Sequence, residues 1–123
     1  MTLLAVGAGG IAGAVLRYSI AYLLDTHEVI APLKTLLVNV IGSFLLGYLQ
    51  GLASVHKLPR WLVLGFGTGL IGSFTTFSTL SLELVQYALI DELLRALIYL
   101  LSSFWLGLLF VYAGYQAGKF KKV

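Results

Sequence analysis

The sequence predicts an all-α membrane protein of four transmembrane helices, the third of them broken near the midplane of the bilayer. Three observations carry that reading. Hydrophobic residues make up 59% of the chain and charged residues 11%, with a mean hydropathy of +0.97, which is outside the soluble globular range. The 123 residues divide into four long apolar stretches and short loops, so no soluble catalytic or binding domain fits beside them. Within the third stretch, Trp61 to Ile90, lies a polar run, Gly72-Ser73-Phe74-Thr75-Thr76-Phe77-Ser78-Thr79-Leu80-Ser81. Hydrocarbon satisfies neither its hydroxyls nor a loosened backbone, so the run must face protein, an ion or water.

The whole chain reads as a single transmembrane domain, with spans at about 3–24, 33–55, 61–90 and 93–117. Span one has no basic residue before it and is too long for the apolar core of a cleaved signal. Gly9 and Gly13 form a small-xxx-small pair suited to close helix contact. Arg17 near its end, not far in sequence from Asp25 and Glu28, either snorkels to the interface or bonds carbonyls of a neighbouring span. Its expected role is structural, because a guanidinium does not deprotonate. His27 reads as a solvated loop residue, and Pro32 marks the start of span two. In that span Asn39 and Ser43, four apart, share one face.

Trp61 sits at the interface where span three begins. Gly65, Gly67 and Gly69 are expected to allow close backbone contact, with a similar segment across a symmetry axis as the expected neighbour. A straight helix over the roughly 30 residues of span three would be about 45 Å long, against a hydrocarbon core of about 30 Å. Two half-helices, about Trp61 to Gly72 and Leu80 to Ile90, fit better, and broken helices often hold ions in transporters. Glu83 reads as a membrane-end carboxylate. Span four opens after Asp91 and Glu92, where acidic side chains complement the helix dipole, and Tyr99, Ser102 and Ser103 are its interior polar groups.

Cysteine is absent, which excludes disulfides and thiol chemistry. The net charge of +3 resides at loop ends without interleaved aromatic platforms, so no nucleic-acid partner is expected. No catalytic constellation is present, and the Gly-x-Gly-x-Gly run follows no strand. An enzyme is not expected. The neutral donors and aromatic edges Asn39, Ser43, Phe77, Ser78, Thr79, Ser81, Tyr99 and Ser103 suit a small hard anion. Carbonyls of a broken backbone around Gly72 and Thr75 suit a hard cation such as Na⁺.

Gly-x-x-Thr-Thr-Phe-Ser-Thr in the broken span, Asn-x-x-Gly-Ser-Phe in span two, Arg-Tyr closing span one and Tyr-x-x-x-Ser in span four resemble the Fluc (CrcB-type) fluoride channels over the whole chain. The resemblance implies passive fluoride efflux across the inner or plasma membrane by an antiparallel, dual-topology dimer with two pores. It implies a structural Na⁺ at the dimer centre on the carbonyls of Gly72 and Thr75. It further implies Phe77 as a pore aromatic, a polar rail including Asn39, Ser78, Thr79 and Ser81, and Tyr99 and Ser103 as the span-four positions. The chain departs from the family pattern at Leu80, where a second Phe is usual, and at Ser73, where Gly is usual. Two other readings stay open. A small multidrug-resistance-like proton-coupled exporter has this size, yet it needs a carboxylate in span one, which holds only Arg17. A non-conducting partner subunit fits the loss of an aromatic at Leu80.

With four spans, Lys57, Arg60, Lys119, Lys121 and Lys122 share one side of the membrane, while Lys34 and Arg95 lie on the other with Arg17 near them. This excess places both termini in the cytoplasm. A homodimer inserting both ways needs near balance, so the expected second subunit is a paralogue of opposite bias, with the homodimer as the close alternative.

Overall fold

Four helical stretches long and apolar enough to cross a membrane make up the fold. The computed structural model describes residues 1–27 and 29–120, and no strand occurs among them. Glu28, Lys121 and Lys122, which enter the charge arguments above, lie outside the described residues. Spans one and two are the helices α1 (Thr2–Thr26) and α2 (Ala31–Val55), the latter started by Pro32 in its first turn. Span three is composite: α3 (Arg60–Leu64), a π-helical segment Gly65–Ile71, α4 (Gly72–Phe74), a short bridge, and α5 (Ser78–Leu89). Span four is α6 (Leu93–Phe120).

The break in span three has a local cause. Thr75 N–H still completes a helical turn to the Ile71 carbonyl at 3.0 Å. The next donor, Thr76 N–H, goes instead to Asn39 Oδ1 at 2.8 Å, and Thr75 is extended at ψ 157°. Helix therefore persists through Phe74 and resumes at Ser78. The bridge is residues 75–77, narrower than the Gly72 to Leu80 interval expected from the hydroxyl-rich sequence. Gly72 itself is helical, because hydroxyl content alone does not unwind a backbone whose next donor still finds its partner.

Two tight helix pairs sit on either side of this bridge. In the first, α1 runs along the whole of 60–74. A Cβ on Gly9 would stand 2.2 Å from the Gly65 carbonyl oxygen, and one on Gly13 would stand 2.1 Å from that of Leu70. Gly69 answers with a Cβ position 2.6 Å from the Val6 oxygen. These contacts correct one expectation: Gly65 and Gly69 meet α1 of the same chain rather than a symmetry mate. Gly67 alone points the other way, toward Leu49 and Leu46 of α2. In the second pair, Gly47 and Gly51 of α2 interlock with Gly114 and Gly118 of α6, each leaving only 2.0–2.3 Å between an added Cβ and a facing carbonyl. Lipid supplies no hydrophobic drive between helices, so such backbone-to-backbone approach is what holds them together.

The link from α5 to α6 is a Schellman turn. Glu92 N–H bonds the Tyr87 carbonyl at 2.9 Å and Asp91 N–H bonds that of Ala88 at 3.2 Å, with Asp91 in the left-handed region at φ 58°. Asp tolerates that conformation better than most residues. Asp91 thus closes α5, while Glu92 precedes α6 and pairs with Arg95 one turn on.

Candidate functional site

The bridge is held by a side chain from another span. Asn39 of α2 receives Thr76 N–H on Oδ1 and donates from Nδ2 to the Thr76 carbonyl, both at 2.8 Å. One amide replaces the two helical partners that Thr76 forgoes, so both backbone groups of Thr76 are bonded without water. Thr76 then uses its hydroxyl at the start of α5: it accepts Thr79 N–H at 3.2 Å, donates to Thr79 Oγ1 at 3.0 Å and lies 3.3 Å from Ser78 Oγ. This is a side-chain cap for a helix that begins inside the membrane.

Around the bridge lies a cleft of about 280 Å³ lined by Asn39, Gly42, Ser43, Leu46, Gly67, Ile71, Gly72, Thr75, Thr76 and Phe77. It gathers five of the residues singled out from the sequence: Asn39, Ser43, Gly72, Thr75 and Phe77. The Phe77 ring projects from the subunit with 77% of its surface uncovered. Ser43 Oγ donates to the Asn39 carbonyl at 2.8 Å, and Ser81 Oγ donates to the Phe77 carbonyl at 2.9 Å. Both hydroxyl hydrogens therefore return to their own backbone, and their oxygens remain as acceptors.

Gly72 and Thr75 both line the cleft, as a cation set requires. The Gly72 carbonyl has lost the helical donor that went to Asn39, while the Thr75 carbonyl accepts Arg17 Nη1 at 3.4 Å. Backbone oxygens are the right chemistry for a hard cation, but two fall short of the six or so that such an ion takes. The two carbonyls of one chain are thus too few to complete such an ion's shell. Among the described residues, no group of three His, Asp or Glu side chains could hold a metal.

A second set of polar residues lies beyond the bridge. Arg17 and Thr79 line a cavity of about 350 Å³ between α1, α2 and α5, together with Lys34, Thr35, Thr76 and Glu83. Glu83, read from the sequence as a membrane-end carboxylate, is only 6% exposed. Its Oε1 accepts from Thr35 Oγ1 at 2.9 Å and its Oε2 from Tyr99 Oη at 2.7 Å. Thr35 did not stand out in the sequence, and neither did its pairing with Glu83, since the two are 48 positions apart and share no spacing pattern. Only the burial of a charged residue type in an apolar run hinted at a partner. Ser103 Oγ is buried and has no hydrogen-bond partner among the described residues. Leu80 is 7% exposed and packs inside the subunit, away from Phe77.

A four-span bundle whose third helix is interrupted and clamped there by a polar side chain from another span defines a multi-pass membrane protein. The chain belongs to the family described as CrcB-like protein, Camphor Resistance (CrcB), whose sequence model matches residues 4–115. It is 43% identical over 119 residues to the Fluoride-specific ion channel FluC 1 of Bacillus cereus, covering 94% of this chain and 85% of that one. It is also 43% identical over 112 residues to the Fluoride-specific ion channel FluC of Prosthecochloris aestuarii, with 90% and 88% covered. Against that of Shewanella amazonensis it is 45% identical over 113 residues, covering 90% of each.

Proposed function

We propose that the chain forms a fluoride-selective channel that lowers cytoplasmic fluoride by passive efflux. The observation that carries this reading is the Asn39-clamped bridge. It sets the Asn39 amide, whose Nδ2 keeps a second hydrogen beyond the one given to Thr76, and the uncovered Phe77 ring around one cleft in a chain alike, over nearly its whole length, to proteins named fluoride-specific ion channels. The cleft has no carboxyl group in its lining, as suits an anion. Asn39, Ser43, Phe77, Ser78, Thr79, Ser81, Tyr99 and Ser103 form the ion pathway, and the orphan Ser103 Oγ is a donor free for a passing anion.

The cleft opens at the subunit surface, and a second subunit covers it. The pair is antiparallel, and its centre holds a structural Na⁺ on the Gly72 and Thr75 carbonyls of both chains. Four carbonyls supply most of a hard cation's shell, and the fixed positive charge offsets the repulsion an anion meets in low dielectric. The excess of basic residues, five against two or three, favours a paralogous second subunit over an identical one. The buried Leu80 agrees with that choice, because a partner can supply an aromatic this chain lacks.

Two measurements test these statements. Purified protein in liposomes should give fast fluoride efflux, read by a fluoride electrode, which chloride does not replace; no efflux from the chain alone or with a paralogue overturns the reading. A cysteine added at the carboxyl end of the chain expressed alone should be labelled from one face only. Equal labelling from both faces would assign a dual-topology homodimer instead.

A further inference from the structure

The cavity between α1, α2 and α5 carries two cationic side chains, and one of them has no role in the cleft. Arg17 is engaged at the inner end, with its guanidinium on the Thr75 carbonyl. Lys34 stands at the rim, paired with Asp25, and its side chain is 18% exposed against 61% for Asp25. Both charges are placed against their own helices. Asp25 lies in the last turn of α1, where the dipole disfavours an anion, and Lys34 lies in the first turn of α2, where it disfavours a cation. Exposed ion pairs also contribute little to stability. Helix stability therefore does not account for either residue; Lys34 lines the cavity, and the more exposed Asp25 is bonded to it from outside the lining.

The cavity leads to the bridge. Thr76 lines both the cavity and the cleft, and Arg17, Thr35 and Thr79 line the walls between rim and bridge. Glu83 is the opposing charged group on the inner wall, with both its oxygens occupied by Thr35 and Tyr99. An anion at the rim thus meets Lys34 first, Asp25 beside it, and Arg17 further in.

We propose that Lys34 is the charge that draws fluoride into this cavity, and that Asp25 sets how strongly it does so. The proposal rests on the fluoride-channel reading and adds a residue pair that governs the capture rate without touching the pathway at the bridge. Neutralising Asp25 frees the full field of Lys34, whereas neutralising Lys34 leaves an anion at the opening. Unit charges about 8 Å apart in water change a local ion concentration about two- to threefold. Salt removes this, since the screening length falls from about 30 Å at 0.01 M to about 3 Å at 1 M.

Initial fluoride efflux from liposomes of neutral lipid, at fluoride well below saturation, tests the pair in about 0.01 M and about 1 M impermeant salt. At low salt, Lys34→Gln should run about two- to threefold slower than wild type, Asp25→Asn about two- to threefold faster, and Lys34→Arg close to wild type. At high salt the four proteins should converge. If Lys34→Gln does not assemble, the low-salt acceleration in Asp25→Asn carries the test alone. Slower efflux in Asp25→Asn would assign the pair to a structural tie between α1 and α2 and overturn the proposal, as would changes that salt does not erase. Absence of efflux from wild type overturns the channel reading itself, and this inference with it.

Discussion

Phe77→Ile should cut fluoride efflux by up to about tenfold while the protein elutes and melts as wild type does. The ring is 77% uncovered in the subunit, so its replacement disturbs little of the chain's own packing. Isoleucine keeps a comparable apolar volume. What it removes is the quadrupole, whose positive edge can face an anion; interactions of this class are worth up to about 1.5 kcal/mol, or about tenfold. The ring sits on the bridge at the start of α5, where a passing ion has the fewest alternative donors, since the Ser81 hydroxyl hydrogen is returned to the Phe77 carbonyl. Efflux from liposomes and thermal unfolding followed by gel filtration read the two halves of this expectation. Unchanged efflux would make Phe77 a contact for the second subunit and nothing more.

Asn39→Leu should abolish efflux and also destabilise the fold. The substitution orphans both Thr76 N–H and Thr76 C=O, each now bonded at 2.8 Å. Two unsatisfied buried groups cost about 2–6 kcal/mol, and hydrogen bonds measured within membranes suggest the lower part of that range. The bridge would then have reason to re-form helix through Thr76, which pulls Gly72 and Thr75 out of their present register. Ser43→Ala is the contrast. Its hydroxyl bonds only the Asn39 carbonyl of its own helix, so stability should stay within about 0.5 kcal/mol. A melting temperature for Asn39→Leu equal to that of Ser43→Ala would remove the clamp from the account.

The broken third span was legible because its cause is compositional: Ser and Thr residues crowd a stretch that bilayer thickness already makes too long for one straight helix. Asn39 was legible as polar and inward, but not as the clamp, since nothing in the sequence says which backbone amide it will meet. Glycine positions likewise reveal a close approach without naming the neighbour, which is why Gly65 and Gly69 were matched to a symmetry mate when α1 is what they touch. The burial of Glu83 was hidden for a related reason. Its distance in sequence from Asp91 and Glu92 suggested the membrane end but could not name Thr35 and Tyr99, brought in by α2 and α6, which bond it there. Local spacing reports the helix a residue belongs to, and partners that come from other helices depend on how the spans are arranged.

That arrangement bears on how the chain is made. The two glycine-locked pairs join α1 to the front of span three and α2 to α6, so spans one and three pair, and spans two and four pair, in an interleaved order. No neighbouring spans in sequence form a tight pair. During synthesis, the α1 surface around Gly9 and Gly13 has no partner until Gly65 to Leu70 have been made, and α2 waits for nearly the last residue. The bridge at 75–77 is where the growing chain passes from completing the first pair to approaching the second. A chain that had emerged only that far would hold one locked pair and leave α2 bare in the lipid.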